Sequence, residues 1–329
     1  MHLIDKLGEA VLGGEAISAE DATRLIELDG ADVYHLFPWA NRIREAHRGN
    51  QIHLCSIINA KSGGCTEDCV FCAQASRYHT DVSVYPFLGK DDVLPAASQA
   101  KENKAVALGL VAAWRGLHEG RLLDEVCQRI EDVAQSGTVR ADASLGLIEE
   151  REVAERLKAA GLVAYNHNLE SSRSFYPQTC STHDYDDRVR TIRHCKDVGL
   201  KVCSGGIVGM GESRPQRVEL ACELRDLNVD IVPLNFLHPI PGTPMAESPP
   251  LTPIECLQAI AVFRFVLPNK EIMVAGGREH NLREMQSMIF MAGASAILIG
   301  HYLTTTGRSA QDDLRMIEDQ GLTWQWSEH

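Results

Sequence analysis

The chain has 329 residues, 44% of them hydrophobic and 23% charged, and a formal net charge of −13 at pH 7. This length suffices for one large α/β domain with a full core. The negative charge and the lack of basic runs argue against a broad nucleic-acid-binding surface, and no apolar segment is long enough to span a bilayer. Without a signal-type apolar stretch near the N-terminus, the ten cysteines indicate a reducing cytoplasm and metal chemistry rather than disulfides.

The N-terminal part of the chain is predicted to be helical. Ser18 precedes a run with acidic residues in its first turn, which is the pattern of a helix N-cap. We therefore predict a helical extension over residues 1–48. A barrel domain over residues 49–329 follows, and it ends in a helix and a tail that begin at about residue 310.

From residue 52 onward, short apolar or β-branched runs alternate with amphipathic stretches. Stretches such as 122–133 and 150–161 are typical of helices, and Gly161 and Gly199 stand where such helices end. Eight repeats of this kind predict an α/β fold of the (β/α)8 TIM-barrel type, with an open doubly wound sheet as the alternative. The predicted strands cover residues 52–59, 104–112, 138–145, 162–166, 200–208, 229–235, 270–275 and 296–300.

Three cysteines lie within eight residues directly after the first predicted strand. Cys65, Cys69 and Cys72 form the pattern CxxxCxxC. Thiolates at this spacing can bind three corners of a cubane [4Fe-4S] cluster and leave its fourth iron free to bind a small molecule. A zinc site is the alternative, but structural zinc takes four ligands, commonly from two cysteine pairs, and the sequence has no second pair.

Polar residues also follow several of the other predicted strands. They occur in residues 165–170, at Asn235 and in residues 275–279. Because the chemistry of (β/α)8 barrels gathers at the carboxyl ends of the strands, we predict that these residues and the three cysteines share one site.

Six segments that contain these features keep a recognisable order along the chain: 59–74, 165–170, 182–188, 203–212, 235–244 and 302–307. The cysteine pattern resembles that of the radical S-adenosylmethionine (SAM) superfamily, and the whole set resembles the biotin synthase family. The resemblance implies that a [4Fe-4S] cluster cleaves SAM to a 5′-deoxyadenosyl radical, which takes hydrogen from dethiobiotin. Sulfur from a second iron–sulfur cluster then closes the ring of biotin. A one-electron reductant, such as flavodoxin or ferredoxin, and a homodimer are further implications.

The resemblance also assigns residues to the SAM site. Glu170 matches a position that contacts the SAM ribose, where the family commonly has Asp. Arg188 matches a position that contacts SAM or the substrate carboxylate, and a surface helix arginine is the alternative. A stretch that resembles the adenine contact of the superfamily, with a plain strand-to-helix turn as the alternative, contains Gly205, Ile207, Gly209 and Glu212.

Four further residues match substrate contacts of the family. Asn166 and Asn168 match positions that hold the ureido ring, and an amide suits this group because it offers both a donor and an acceptor. Capping of a strand end by asparagine is the alternative. Asn235 and Thr304 match additional substrate contacts.

The ligands of the usual [2Fe-2S] sulfur-donor cluster of the family are mostly missing. When the flanking motifs are aligned, only Cys203 remains, and the other ligand positions hold Gly109, Asp142 and Met273. The resemblance therefore does not support a [2Fe-2S] cluster of the usual kind in this chain.

The chain instead resembles a branch of the family with a larger auxiliary cluster. That branch has cysteines at the positions of Cys55, Cys180 and Cys203, and also where Asp142 stands here. We predict a second iron–sulfur cluster of uncertain type on these three cysteines, with Asp142 as an oxygen ligand and Met273 as a wall residue. The alternative is that Cys55 and Cys180 are small buried apolar side chains.

Two other functional classes remain as alternatives. The first is another radical SAM enzyme on the same barrel, similar to a hydrogenase maturase or to methylornithine synthase, without a sulfur-donor cluster. The second is a non-enzymatic iron–sulfur carrier or a zinc-stabilised binding module. The cysteines on amphipathic helices are predicted to serve packing alone, and they are Cys127, Cys195, Cys222 and Cys256.

Overall fold

The computed structural model describes residues 2–324, so Met1 and residues 325–329 of the predicted tail lie outside the described residues. Each of eight parallel strands pairs with the next along the chain, and the first pairs with the eighth. This closed sheet confirms the predicted (β/α)8 barrel and excludes an open doubly wound sheet. The strands are β1 (His53–Lys61), β2 (Ala107–Ala112), β3 (Arg140–Ser144), β4 (Ala164–Asn166), β5 (Lys201–Cys203), β6 (Ile231–Phe236), β7 (Glu271–Val274) and β8 (Ala296–Leu298).

Helices precede the barrel and alternate with its strands. Within residues 2–324, no helix combines the length and the apolar character that a membrane crossing requires. The helices are α1 (Leu3–Leu12), α2 (Ala19–Ile26), α3 (Ala31–Arg48), α4 (Lys90–Glu102), α5 (Arg121–Ser136), α6 (Arg151–Ala159), α7 (Tyr185–Asp197), α8 (Arg214–Asp226), α9 (Pro253–Val266), α10 (Arg278–Leu282), α11 (Met288–Met291) and α12 (Ala310–Glu318).

Local sequence signals position several of these helices. The Ser18 hydroxyl accepts a hydrogen bond from the Asp21 amide at 3.0 Å, which confirms the predicted cap of α2. Helices α7, α8 and α9 each begin with a capping box, in which the N-cap side chain and the third helical residue satisfy each other's backbone amides. Side chains near these helix starts are therefore held at defined positions around the barrel.

The predicted strand over residues 200–208 is divided in the structure. Strand β5 ends at Cys203, and a second short strand, Gly206–Val208, pairs with β6. Between them, Gly205 packs so closely on Pro233 that an added Cβ would lie 1.9 Å from the Pro233 carbonyl oxygen. A side chain at this position would collide with the neighbouring strand, so glycine is required here.

The N-terminal helices pack on the outside of the barrel. Helix α3 contacts α9, and α2 contacts both α8 and α9. The Gln258 side chain of α9 donates hydrogen bonds to the carbonyl oxygens of Leu25, at 3.2 Å, and Leu28, at 2.9 Å. Because α1–α3 share one hydrophobic core with the barrel helices, the domain division at residue 48 stays a prediction.

A small apolar cluster closes the lower end of the barrel interior. Its members come from strands β1, β2, β5, β6, β7 and β8, whose side chains alternate between the interior and the helical layer. This barrel floor consists of the buried residues Cys55, Ala107, Ile231, Met273, Ala296, Leu298 and, directly after β7, Ala275, and the partly buried Cys203 packs against them.

Candidate active site

A cavity of about 450 Å³ opens at the carboxyl ends of the strands and reaches down to the barrel floor. This location is the one that the polar strand ends predicted. Most residues singled out from the sequence line it: Cys55, Cys65, Cys69, Cys72, Asp142, Asn166, Asn168, Glu170, Arg188, Cys203, Ile207, Asn235 and Thr304. The remaining ones, which are not part of its lining, are Cys180, Gly205, Gly209 and Glu212.

The CxxxCxxC motif lies on a loop, residues 62–78, and the Gln74 side chain accepts three of the hydrogen bonds that hold this loop. The Gln74 Oε1 atom accepts hydrogen bonds from the Asn59 side chain at 3.2 Å, the Ser62 hydroxyl at 3.2 Å and the Gly63 amide at 3.1 Å. The Cys65 amide also donates to the Gln74 carbonyl oxygen at 3.0 Å. This cysteine loop therefore has a fixed conformation that directs three thiols into the cavity.

The thiols of this loop are suited to a metal cluster. Cys65 is buried, and Cys69 and Cys72 are half-buried. Burial raises the pKa of Cys65 and raises that of Cys72 to about 11, so both are protonated at neutral pH without metal. Binding of iron would replace these protons. Three converging thiols beside a ligand-sized cavity fit a cluster that keeps one iron open to a further ligand.

Glu170 and Arg188 form an ion pair in the cavity wall, within electrostatic range of Cys72 and Cys69. The Arg188 Nη1 atom lies 3.7 Å from Glu170 Oε1 and donates to the Asn168 carbonyl oxygen at 2.7 Å, while Arg188 Nε donates to the Tyr176 hydroxyl at 2.8 Å. Burial raises the pKa of Glu170, although the positive charge of Arg188 acts in the opposite direction. Arg188 is therefore part of the site and is not a surface arginine.

The backbone around Glu170 is held in an uncommon conformation. Its φ is 68°, in the left-handed region that a residue with a side chain rarely adopts. Its amide donates to the Gly205 carbonyl oxygen at 3.1 Å, and the Ile207 amide donates to the Glu170 carbonyl oxygen at 2.8 Å. These bonds join the end of β4 to the segment after β5, and they fix the direction of the Glu170 carboxylate.

The glycine-rich stretch after β5 lies mostly behind the cavity wall, and little of it is in contact with the cavity. Only Ile207 of its predicted contacts faces the cavity. The Glu212 carboxylate accepts hydrogen bonds from the amides of Gly209, at 2.9 Å, and Met210, at 2.8 Å, and from Arg217 Nε at 2.7 Å. Glu212 therefore stabilises this turn from behind, and its predicted contact with SAM is an indirect one in this geometry.

The predicted substrate residues differ in how far their polar atoms are already engaged. The Asn168 Oδ1 atom accepts from the Gly205 amide at 3.2 Å, and Asn235 Oδ1 accepts from the Gly276 amide at 2.9 Å. By contrast, Asn166 Oδ1 is buried and has no hydrogen-bond partner within residues 2–324. An unpaired buried carbonyl oxygen in a cavity wall is suited to a ligand that carries N–H groups.

Residues after β8 complete the rim. Thr304 is exposed and lines the cavity mouth, and so does Tyr302. Arg278 Nε donates to the Tyr302 hydroxyl at 3.1 Å, and the remaining nitrogens of Arg278 bind Gln286 and Asp313. The fully buried Arg278 and Asp313 thereby connect helix α12 to the wall of the cavity.

At the barrel floor, Cys55 and Cys203 face the same space. His53 Nε2 lies 3.4 Å from Cys55 Sγ. Asp142 is close by, but Arg140 donates to both of its carboxylate oxygens, at 2.9 and 2.6 Å. An acid so engaged is a poor additional metal ligand, which is a physical argument against the predicted role of Asp142.

Cys180 lies elsewhere, beside the cysteine loop. Its thiol donates to Asp68 Oδ1 at 3.2 Å and lies 3.3 Å from the Thr182 hydroxyl and 3.4 Å from His183 Nδ1. These contacts do not support the predicted grouping of Cys180 with Cys55 and Cys203. Glu67 and Asp68, the two acidic residues between Cys65 and Cys69, are the feature of the sequence from which this neighbourhood could have been anticipated.

Comparisons with known proteins agree with this geometry. A family model of the Radical SAM superfamily matches residues 60–235, and one of the Biotin and Thiamin Synthesis associated domain matches residues 233–323. The chain is 53% identical to a biotin synthase of Trichlorobacter lovleyi over 319 residues, which cover 97% of this chain and 96% of that protein.

Solved structures show the same fold at much lower identity. Methylornithine synthase superposes with a TM-score of 0.81 at 19% identity, and the alignment covers 96% of both chains. HydG, a maturase of the [FeFe]-hydrogenase, gives a TM-score of 0.80 at 17% identity, with 97% of this chain and 74% of that chain covered. Likeness at these identities concerns the barrel fold alone.

The sequence matches span nearly the whole chain, and they include both the cysteine loop and the strands that carry the rim. Membership of the superfamily implies a [4Fe-4S] cluster and SAM, for which the cysteine loop and the cavity wall supply suitable groups. This chain is an enzyme that belongs to the biotin synthase family of the radical SAM superfamily.

Proposed function

We propose that the protein inserts sulfur into dethiobiotin to form biotin by radical SAM chemistry. The observation that carries the proposal is the single continuous cavity. It joins three loop thiols, a wall of amide and charged groups, and a floor with two further thiols. Each of these parts corresponds to one requirement of the reaction: a cluster, a nucleoside and substrate site, and a sulfur source.

Cys65, Cys69 and Cys72 would hold the [4Fe-4S] cluster. When bound, the reduced cluster and SAM supply a 5′-deoxyadenosyl radical that can take hydrogen from an unactivated C–H bond, which no side-chain acid or base can do. Glu170 would accept hydrogen bonds from ribose hydroxyls, and Arg188 would neutralise a carboxylate beside it.

Asn166 and Asn168 would orient the ureido group of the substrate. The unpaired Asn166 Oδ1 can accept from a ureido N–H, and the Asn168 side chain, fixed by Gly205, can donate to the ureido oxygen. Asn235 and Thr304 would complete the contacts at the mouth. These residues bring the substrate's C–H bonds between the cysteine loop and the floor.

Sulfur would come from an auxiliary iron–sulfur cluster at the barrel floor. Cys55 and Cys203 both line the deep part of the cavity and pack within one cluster of side chains. His53, 3.4 Å from Cys55, is an additional donor group there. The type of this cluster is left open by the proposal, and Cys180 is not part of it.

Anaerobic turnover tests the proposal. Protein refilled with iron and sulfide is incubated with SAM, dithionite and dethiobiotin, and biotin and 5′-deoxyadenosine are quantified. Formation of both products supports the proposal. Formation of 5′-deoxyadenosine alone supports another radical SAM enzyme of the same fold, and a lack of SAM cleavage contradicts radical chemistry altogether.

Iron analysis tests the floor site separately. Refilled wild-type protein should hold clearly more than about four irons per chain, because one [4Fe-4S] cluster accounts for only four. A total of about four would rule out the second cluster. The physiological reductant is proposed to be a small one-electron carrier such as flavodoxin or ferredoxin, and the homodimer and the cytoplasmic location stay predictions.

A further inference from the structure

A buried carboxylate of the cysteine loop binds a segment that lies far along the chain, residues 179–183. Asp68 is 5% exposed, and it accepts hydrogen bonds from the amides of Ser181, at 2.9 Å, and Thr182, at 3.2 Å. The hydroxyl groups of the same two residues also donate to Asp68, and so does the Cys180 thiol at 3.2 Å. Because two successive backbone amides bind one carboxylate, Asp68 fixes the path of this segment against the loop.

The loop residues on both sides of this carboxylate hold the same segment. The Val70 amide donates to the Thr179 carbonyl oxygen at 3.0 Å. The Glu67 carboxylate accepts from the Thr182 hydroxyl at 2.7 Å and binds His183 Nδ1. The segment therefore keeps a defined register on the loop, and the bonds to Asp68 lie at the centre of this contact.

The attached segment leads at both ends to the arginine of the cavity wall. On its N-terminal side lies Tyr176, whose hydroxyl accepts from Arg188 Nε at 2.8 Å. On its C-terminal side, Asp184 caps helix α7 by accepting from the Asp187 amide at 2.8 Å, and Arg188 is the next residue of that helix. The backbone that carries Arg188 and one of its hydrogen-bond partners thus both adjoin the segment that Asp68 holds.

We propose that Asp68 is a positioning residue, which sets the position of Arg188 relative to the [4Fe-4S] cluster and thereby the affinity for SAM. The inference rests on the proposed function, in which the cysteine loop holds the cluster and Arg188 neutralises the carboxylate of SAM. A ligand that two groups hold binds more tightly when their separation is fixed in advance, because less conformational freedom is lost on binding. Asp68 supplies this preorganisation without contact with SAM.

Equilibrium dialysis of refilled, unreduced protein against labelled SAM measures the affinity, and iron analysis of the same samples reports the cluster. Asp68→Ala should weaken SAM binding by roughly tenfold at wild-type iron content, which is the size of one lost hydrogen bond to a charged group. Asp68→Asn keeps an oxygen acceptor for the two amides and should restore most of the affinity. The matched control is Asp132→Ala, which removes a buried carboxylate of α5 that pairs with Lys90 and Arg129, and it should bind SAM like the wild type.

A double-mutant cycle separates positioning from general support of the fold. Arg188→Ala alone should weaken SAM binding, and the addition of Asp68→Ala should have little further effect, because Asp68 acts through Arg188. Ser181→Ala removes one hydroxyl donor to Asp68 and leaves the sequence of the loop intact. It should weaken SAM binding in the same direction by a smaller factor.

The possible results separate this inference from the proposed function. Wild-type affinity in Asp68→Ala, or additive losses in the double variant, would overturn the inference alone. Loss of iron in Asp68→Ala combined with wild-type affinity in Ser181→Ala would do the same, because Asp68 would then support only the loop. Wild-type affinity in Arg188→Ala would instead refute the proposed contact between Arg188 and SAM, and the inference with it.

Discussion

The cysteine loop and the barrel floor both present thiols to one cavity, but they are built differently. The loop thiols depend on a network of side chains, in which Gln74 alone accepts three hydrogen bonds. The floor thiols of Cys55 and Cys203 stand on strands whose positions the barrel hydrogen bonds already fix. A loop site therefore requires dedicated supporting residues, whereas a strand site can gain or lose a ligand by a single substitution.

The largest effect is expected from the loop thiols. Cys69→Ala should abolish both 5′-deoxyadenosine and biotin formation, because a cluster with two remaining protein ligands is not held. Product analysis after anaerobic turnover and iron analysis of the refilled protein measure this. Cys222→Ala, on helix α8, is the matched control and should keep both activities. A variant that still cleaves SAM would contradict the assignment of the loop.

Loss of a floor thiol should affect only one of the two products. Cys203→Ser should lower the iron content towards that of one cluster and abolish biotin, while cleavage of SAM continues, because the loop is intact. The ratio of biotin to 5′-deoxyadenosine is the measurement. A Cys203→Ser variant that forms biotin at the wild-type ratio would show that the sulfur does not come from the floor.

The close contact between Gly205 and Pro233 behind the cavity wall can be tested by substitution of the glycine. Gly205→Ala should lower the free energy of unfolding by roughly 3 kcal/mol, because the added Cβ would overlap the Pro233 carbonyl group. Overpacking of a well-packed site destabilises a protein by about this amount. Thermal unfolding of the metal-free protein measures the loss. Gly89→Ala serves as the control, because no atom lies within 4 Å of the added Cβ. Equal stability of the two variants would contradict the packing argument.

The smallest effect is expected from the support of the loop. Gln74→Ala leaves three donors without their acceptor, and it should lower the free energy of unfolding by about 1 kcal/mol while iron is lost faster to a chelator. Gln128→Ala, on the exposed face of α5, is the control. If the iron of Gln74→Ala is lost at the wild-type rate, the side chain does not preorganise the loop.

Much of this architecture could be predicted from the sequence because its signals are local. The alternation of apolar runs and amphipathic stretches gave all eight strands, and the spacing of Cys65, Cys69 and Cys72 located the loop. Both signals depend on residues close together in the chain, so periodicity and spacing suffice to detect them.

Contacts between distant segments could not be predicted in this way. The position of Cys180 beside Asp68 depends on hydrogen bonds between residues more than one hundred positions apart, whereas the family resemblance grouped Cys180 with Cys55 and Cys203. By contrast, Arg140 and Asp142 are two residues apart on β3 and face the same side, so the bidentate bond between them is a local contact.

The ion pair between Arg278 and Asp313 has a practical consequence for the design of shortened chains. Asp313 lies on the last helix, yet its partner also holds the Tyr302 hydroxyl at the cavity rim. Deletion of that helix would remove the closer of the two carboxylates that face the buried Arg278 guanidinium, leaving Glu279 at 3.6 Å, and would loosen the rim. Truncated proteins should therefore bind the ligands of the cavity more weakly, even where the barrel itself still folds.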